Sequence, residues 1–402
     1  MTAVHDTPSR RHARTAVRLA TVVACAALAT GCTTVRGWFG SDDEDKVNTE
    51  PAKLVDFQAT ATASRIWTAS AGKGEGNTGA AQTAYIADGR VYAASVSGGV
   101  RAFDLQSGSR LWHHDSDLRL SGGPGAGEGL VVAGSLDGEV VALDAETGAV
   151  RWTASVPNEV ITRPAVGQGL VVVRSNDGRV TAFDATSGER RWFWVRDLPA
   201  LTVRGNAPVA LAPGVAFVGS DEGNLVALSL SDGRVAWEQP VGMAEGRTEL
   251  ERMADVDGAP VVDGNVVIAS SYKNVTVAFE GPSGRPIWGA ESGGVGGVGV
   301  ADDRVVVSDA AGTVWAIDKY VGTSYWQQPA LARRNLGPAA VHGSYAVVGD
   351  FDGYLHWMRL SDGEFAARER AGRSPITGRP AVADGIMVVQ NVDGDLSAWR
   401  ID

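Results

Sequence analysis

VVALDAETGAVRW, residues 140–152, decides the fold because it recurs. The same frame returns as VRAFDLQSGSRLW ending at Trp112, VTAFDATSGERRW at Trp192, LVALSLSDGRVAW at Trp237, TVAFEGPSGRPIW at Trp288 and VWAIDKYVGTSYW at Trp326. A further copy, LHWMRLSDGEFAA, keeps Gly363 but has Ala367 where the tryptophan belongs. The repeated glycines at 108, 148, 188, 233, 284, 322 and 363 are 40, 40, 45, 51, 38 and 41 residues apart. Roughly forty residues is the length of one four-stranded propeller blade. An eighth copy begins as LSAW at Leu396 and runs out at Asp402, so eight units are present and the last is incomplete.

Working outward from the repeat, each unit reads as strands divided by tight turns. Asp88-Gly89, Glu128-Gly129, Gln168-Gly169, Pro213-Gly214, Asp263-Gly264, Asp302-Asp303, His342-Gly343 and Asp384-Gly385 open the units, each followed by an apolar run such as LVVAGS. A second turn follows at Asp137-Gly138, Asp177-Gly178, Glu222-Gly223, Asp352-Gly353 or Asp393-Gly394. Glycine supplies the positive φ of two-residue hairpins, and β-branched runs suit a buried pleated strand. An open row of such sheets leaves an apolar face wet at either end, and a closed ring does not. The eighth unit lacks its outer strand, while Arg65-Ile66-Trp67 matches the RLW and VRW endings of the other units. Residues near 62–69 are therefore expected to complete the last blade. The fold expected is all-β: an eight-bladed propeller of four-stranded antiparallel blades over 62–402, closed by an N-terminal strand. The repeated tryptophans read as packing between neighbouring blades, and the aspartates at 104, 144, 184 and 318 as caps of the turns that follow them.

The chain's first residues have other work. Arg10, Arg11, Arg14 and Arg18 precede an apolar run over 19–29 and the small residues Thr30 and Gly31 before Cys32. That is the anatomy of a secretory signal over 1–31, and eleven residues are too few to cross the roughly 30 Å core of a bilayer as a helix. The only other cysteine, Cys25, falls inside the signal, so no internal disulfide is expected beyond it. Residues 32–61 include SDDED and show no clear strand pattern until Leu54, which reads as a flexible tether. Formal charge is −11 for the whole chain, and residues 1–31 carry four arginines against Asp6, so the remainder is more acidic still. Such a surface repels phosphate backbones, and nucleic acid is not expected as a partner.

Motifs for chemistry are missing. Six histidines are scattered without the spacing of a zinc site. GGPGAGEG and GGVGGVG resemble phosphate loops but end in no Gly-Lys-Ser and lead into no helical pattern, so both read as turns between strands. No catalytic residue, metal or cofactor is assigned. Two long interruptions of the repeat, 193–208 and 238–260, are the places where a function is expected, because loops of more than about 12–15 residues are uncommon in compact domains.

The Ala-x-Asp-x-x-x-Gly-x-x-x-Trp frame resembles the quinoprotein-type propeller repeat. Ala29-Thr30-Gly31-Cys32 resembles a bacterial lipobox, with Ala29 in place of the usual leucine. Three less generic stretches, DLPALTVRG at 197–205, TELERMADVDGAPVV at 248–262 and VVGDFDGYLHW at 347–357, extend the likeness to the BamB family of outer-membrane assembly lipoproteins over essentially the whole mature chain. The first two of these are the long loops. The resemblance implies lipidation at Cys32, a periplasm-facing place on the outer membrane, and a scaffold that binds BamA and other Bam subunits and assists insertion of outer-membrane β-barrel clients. Carried over position by position, the BamA-binding residues fall on Leu201, Val203, Arg204, Asp255 and Asp257. Val203 stands where leucine is usual. Two other classes stay open at this point: a quinone-dependent dehydrogenase subunit, which needs a redox cofactor in the central funnel, and a propeller that binds a periplasmic ligand.

Overall fold

Seven times round the ring, a tryptophan of one blade lies under a glycine of the next, and that contact explains the repeat. In the computed structural model, the Nε1–H of Trp112 donates to the Ala145 carbonyl at 3.0 Å, and a Cβ placed on Gly148 would lie 2.6 Å from the Trp112 ring. The same pair of contacts joins Trp67 to Leu105 and Gly108, Trp152 to Ala185 and Gly188, and so on to Trp326 with Leu360 and Gly363. Gly148 also has a φ of +72°, so no other residue fits there on either count. Asp144 holds the same turn by accepting the backbone N–H and the hydroxyl of Thr147, both at 2.8 Å. Asp104, Asp184 and Asp318 accept corresponding N–H groups, so the expected turn-capping role is observed.

The structure describes residues 49–402 apart from 76–77, 200, 202–206, 244–245, 249, 251–252 and 295. Among these it forms eight four-stranded antiparallel sheets. The blades occupy 85–114, 120–155, 165–194, 210–240, 261–290, 298–328 and 340–370, and the eighth takes Ala381–Ala383, Ile386–Gln390 and Asp395–Ile401. Its outer strand is Ala63–Ser70, paired antiparallel with Asp395–Ile401, as expected from Arg65-Ile66-Trp67. The innermost strands neighbour one another in chain order, and that of blade eight meets that of blade one. Two expectations are corrected. The opening turns do not begin the blades, because a short innermost strand such as Tyr85–Ala87 or Ala165–Gly167 precedes each of them; three residues carry too little pattern to be read. GGPGAGEG is a turn only at its end, Glu128-Gly129. Its first six residues, 122–127, belong to the innermost strand of blade two, Leu120–Gly127, whose register shifts between Ser121 and Gly125.

Blade seven departs from the repeat for a reason visible in the register. In the other blades an alanine on one strand faces the tryptophan on its neighbour, as in Ala102↔Trp112, Ala142↔Trp152 and Ala398↔Trp67. In blade seven the pair is exchanged to Trp357↔Ala367. Past blade seven lies the seam of the ring, where Thr62 and Asp402 exchange backbone hydrogen bonds at 3.1 Å and Thr60 and Ala61 donate to the Ala366 carbonyl. Two chain segments meet there in place of a glycine turn. Trp357 fills the space from within, with its ring centroid 5.9 Å from that of Trp399.

Residues 51–61, expected to belong to the tether, make specific contacts with blade seven and the loop before it. Ala52 donates to the Ala332 carbonyl, Arg334 donates to the Ala52 carbonyl at 3.1 Å, and Arg368 donates to the Val55 carbonyl at 2.9 Å. Phe57 packs on Phe365. Beneath them Asp350, fully buried, accepts from Arg334 at 2.7 Å, from His356 at 3.0 Å, and from the N–H groups of Asp352 and Tyr354. The tautomer of His356 follows from its partners. Arg368 can only donate to Nδ1 (3.1 Å), so the proton is on Nε2 and is donated to Asp350. His342 is fixed in the same way, with Nδ1 accepting from Trp357 and Nε2 donating to the Gly385 carbonyl.

Burial pushes both histidines below the ordinary imidazole value, against the hydrogen bonds that raise it. Burial would raise Asp350, but its bonds to His356, Tyr354 and Arg334 outweigh that and hold it below the usual carboxylate range. All three groups bind fewer protons folded than unfolded. Their contribution is therefore complete above about pH 6.5 and declines on acidification, first through the histidines and below about pH 4 through Asp350, by at most about 1.4 kcal/mol per pH unit for each group. Their share of the melting temperature should be flat from about pH 7 to 8 and fall from about 6.5 downward. A His342→Gln, His356→Gln variant should flatten the limb between about 5 and 6.5, and an unaltered limb would refute the assignment.

Candidate functional site

Connections from the outer strand of one blade to the innermost strand of the next all lie on one face of the ring, and most are short. The two exceptions join blades three to four and four to five. The base of the first is tied down by Arg196, whose guanidinium reaches Glu222 at 2.8 Å and Glu238 at 2.6 Å, and by Leu198, which covers Gly178. The base of the second is tied down by burial of Met253, Ala254 and Val256. Val256 rests on Gly219, where a Cβ would come within 2.3 Å of its carbonyl, and its N–H donates to Ser220 at 3.0 Å.

Between the two bases is a buried group of charges. Arg174 is 2% exposed and pairs with Asp221 at 2.9 Å. Asp255 and Asp257 are buried beside them. Asp257 is held well above the usual carboxylate range by burial and then by the Asp255 charge, with Arg174 acting in the opposite sense. Breaking such a group by removing one member costs more than the group contributes, because it strands a charge in low dielectric. It fixes the loops, and its members are almost wholly buried.

Several large apolar side chains face outward, beside the exposed polar residues Asp197, Arg247 and Thr248. Val195, Leu198 and Leu201 of the first loop and Met243 and Leu250 of the second are all exposed, the last two by 64%. Exposed apolar side chains concentrated on two loops are the mark of a binding face. Of the expected partner-binding residues, the structure places Leu201 in this apolar set and Asp255 and Asp257 in the buried charge group below it; Val203 and Arg204 lie outside the described residues, as does Cys32. Sequence reasoning missed Arg174, Asp221, Arg196, Met243 and Leu250. The one available signal was Arg174, a charge ending the apolar run LVVVR. Among the described residues no group of His, Cys, Asp and Glu is arranged to hold a metal ion, and no helix is long and apolar enough to cross a membrane.

The family profile described as "Outer membrane protein assembly factor BamB" matches residues 96–328. The protein of that name from Xanthomonas campestris pv. campestris is 54% identical over 382 residues, 92% of this chain and 94% of the relative. The one from Pseudomonas aeruginosa is 44% identical over 362 residues, 90% and 95% of the two chains. The crystal structure of BamB from Moraxella catarrhalis superposes with a TM-score of 0.78 at 25% identity, covering 84% of this chain and all of that one. Quinohemoprotein alcohol dehydrogenase from Comamonas testosteroni superposes at 0.63 with 15% identity, over 84% of this chain and 76% of the enzyme, which is a likeness of fold alone. With its repeat, its closed ring and its two long loops all in place, the chain belongs to the BamB family of outer membrane protein assembly factors.

Proposed function

We propose that the chain is a non-catalytic scaffold of the β-barrel assembly machinery, held by a lipid on Cys32 to the periplasmic side of the outer membrane. It binds BamA and through it the other Bam subunits, and it assists insertion of outer-membrane β-barrel clients. The observation that carries this reading is the set of exposed apolar side chains on the two long loops of a ring that is otherwise regular, in a chain 54% identical to a protein named for that assembly. Leu201, Val203 and Arg204 make the contact in this reading, since an arginine flanked by apolar side chains is a common interface anchor. Asp255 and Asp257 act from below by holding the loop. The dehydrogenase alternative rests on fold likeness alone.

The test is a pull-down from detergent-solubilised membranes with tagged protein. A Leu201→Glu, Arg204→Glu variant that keeps its circular dichroism spectrum should lose BamA, on the order of 100-fold in affinity if two anchors are removed. Asp257→Asn should retain BamA to within about threefold, because a carboxyl pushed toward its neutral form by burial is already amide-like. Absence of BamA with the wild type would end the functional reading. Loss of BamA with Asp257→Asn would instead move that carboxylate into the interface.

A further inference from the structure

On the ring axis, where the connections turn into the innermost strands, lies a cavity of about 760 Å³. Two of those connections carry arginine at the same place, Thr162-Arg163-Pro164-Ala165 and Gly378-Arg379-Pro380-Ala381, and both arginines line the cavity. Arg163 belongs to the connection into blade three, yet its guanidinium stacks on Tyr85 of blade one, 4.9 Å from the ring centroid. Blade two, which lies between them in the ring, begins with a glycine-rich strand. Gly122 and Gly123 stand there at φ +71° and +79°, so close to the Ile161-Thr162 backbone on one side and to Thr83 on the other that a Cβ at either would come within 2.5 Å of backbone. The glycine-rich stretch thus has a use that strand geometry does not require.

Neither arginine has a hydrogen bond or an ion pair with any described residue. Three carboxylates are near enough to consider, and each is committed elsewhere. Asp309 lines the cavity, but its oxygens accept from the Thr313 N–H at 2.8 Å and the Trp315 Nε1–H at 3.0 Å. Asp257 also lines the cavity, and it lies among Asp255, Arg174 and Asp221 with its carboxyl pushed toward the neutral form by burial. Glu75 accepts from the Gln82 N–H at 2.7 Å and the Thr377 hydroxyl at 3.3 Å. Burial, and then the Arg163 charge, push Arg379 down to about 10, so both guanidinium groups remain charged at neutral pH. Arg163 and Arg379 are half-buried and neither is directly paired with a carboxylate, so an anion seated between them gains two charge-assisted contacts.

We infer that the axial cavity is a binding site for a small oxyanion, carboxylate or phosphate, gripped between Arg163 and Arg379. The guanidinium fork matches both chemistries through paired N–H···O bonds, and the volume is in the range of small-molecule sites. Pro208, Asp257 and Ala259, at the ends of the long loops, also line the cavity, but Arg163 and Arg379 belong to other connections, so loss of anion binding in their variants is separable from loss of BamA in the Leu201→Glu, Arg204→Glu variant.

The experiment is isothermal titration of the full-length protein in detergent with sodium malonate and, separately, inorganic phosphate, at ionic strength held constant with sodium chloride. At least one should bind saturably with one site and a Kd below about 1 mM. Arg163→Gln and Arg379→Gln should each weaken it by about tenfold or more. Tighter malonate identifies a carboxylate ligand and tighter phosphate a phosphate ligand. Saturation by neither below about 10 mM, or binding that survives in the double variant, overturns the inference. The wild-type titration decides the matter alone should a variant not fold.

Discussion

Deletion of residues 1–70 is expected to abolish the cooperative melting transition of the ring, whereas deletion of residues 1–50 should leave that transition in place. The longer truncation removes the outer strand of blade eight with its whole ladder to Asp395–Ile401. It also withdraws Trp67 from Gly108 and the Leu105 carbonyl, so the face between blades eight and one opens. Burying a tryptophan removes about 150–250 Å² from water, or about 4–6 kcal/mol at 25 cal/mol per Å². Half a dozen ladder hydrogen bonds at about 1 kcal/mol each bring the loss to about 10 kcal/mol, as large as the whole stability of an ordinary domain. The shorter truncation keeps this strand and also the anchors at Ala52, Val55 and Phe57. Differential scanning calorimetry of the two truncated proteins distinguishes them, and a 1–70 deletion that melts like the full chain would show that closure does not depend on Ala63–Ser70.

That the ring and its closure could be read from sequence is a consequence of repetition. Each blade solves one packing problem, so glycine, aspartate, alanine and tryptophan return at fixed offsets, and the missing outer strand of the last copy points to Arg65-Ile66-Trp67. Features that occur once have no such signal. Ala367 is conspicuous as a missing tryptophan, but only the register Trp357↔Ala367 says where the ring volume went. The attachment of residues 51–61 depends on backbone carbonyls of Ala52 and Val55, and carbonyls are the same in every sequence.

The candidate site was legible in outline for the opposite reason: its two loops interrupt a period. Loop length marked the place, and only the structure separates what faces out from what faces in. Leu201 is exposed while Asp255 and Asp257 are buried against Arg174 and Asp221, a distinction that no spacing in ADVDGAP encodes. The axial arginines were invisible for a related reason. Arg163 and Arg379 are 216 positions apart in the numbering, and it is the closing of the ring that brings blade eight within three blades of blade three.

Trp357→Ala should be among the most damaging single substitutions in the chain, and its rescue should fail in an informative way. The side chain is fully buried, packs on Trp399, and donates to His342 Nδ1 at 3.2 Å. Truncation leaves a large cavity and an unpaired imidazole nitrogen, which together cost about 3–5 kcal/mol and lower Tm by about 4–7 °C. If the exchanged pair in blade seven were only a matter of volume, adding Ala367→Trp would restore the usual alanine–tryptophan order and recover the loss. The seam argues against that. A tryptophan at 367 needs the next blade to offer a glycine to lie under and a carbonyl to receive Nε1–H, and at that place Thr62 and Asp402 bond to each other while Thr60 and Ala61 occupy the Ala366 carbonyl. The double variant should therefore melt no higher than Trp357→Ala alone. Recovery to the wild-type Tm would mean that the seam accepts a docked tryptophan after all, and the exchange in blade seven would need a different physical cause.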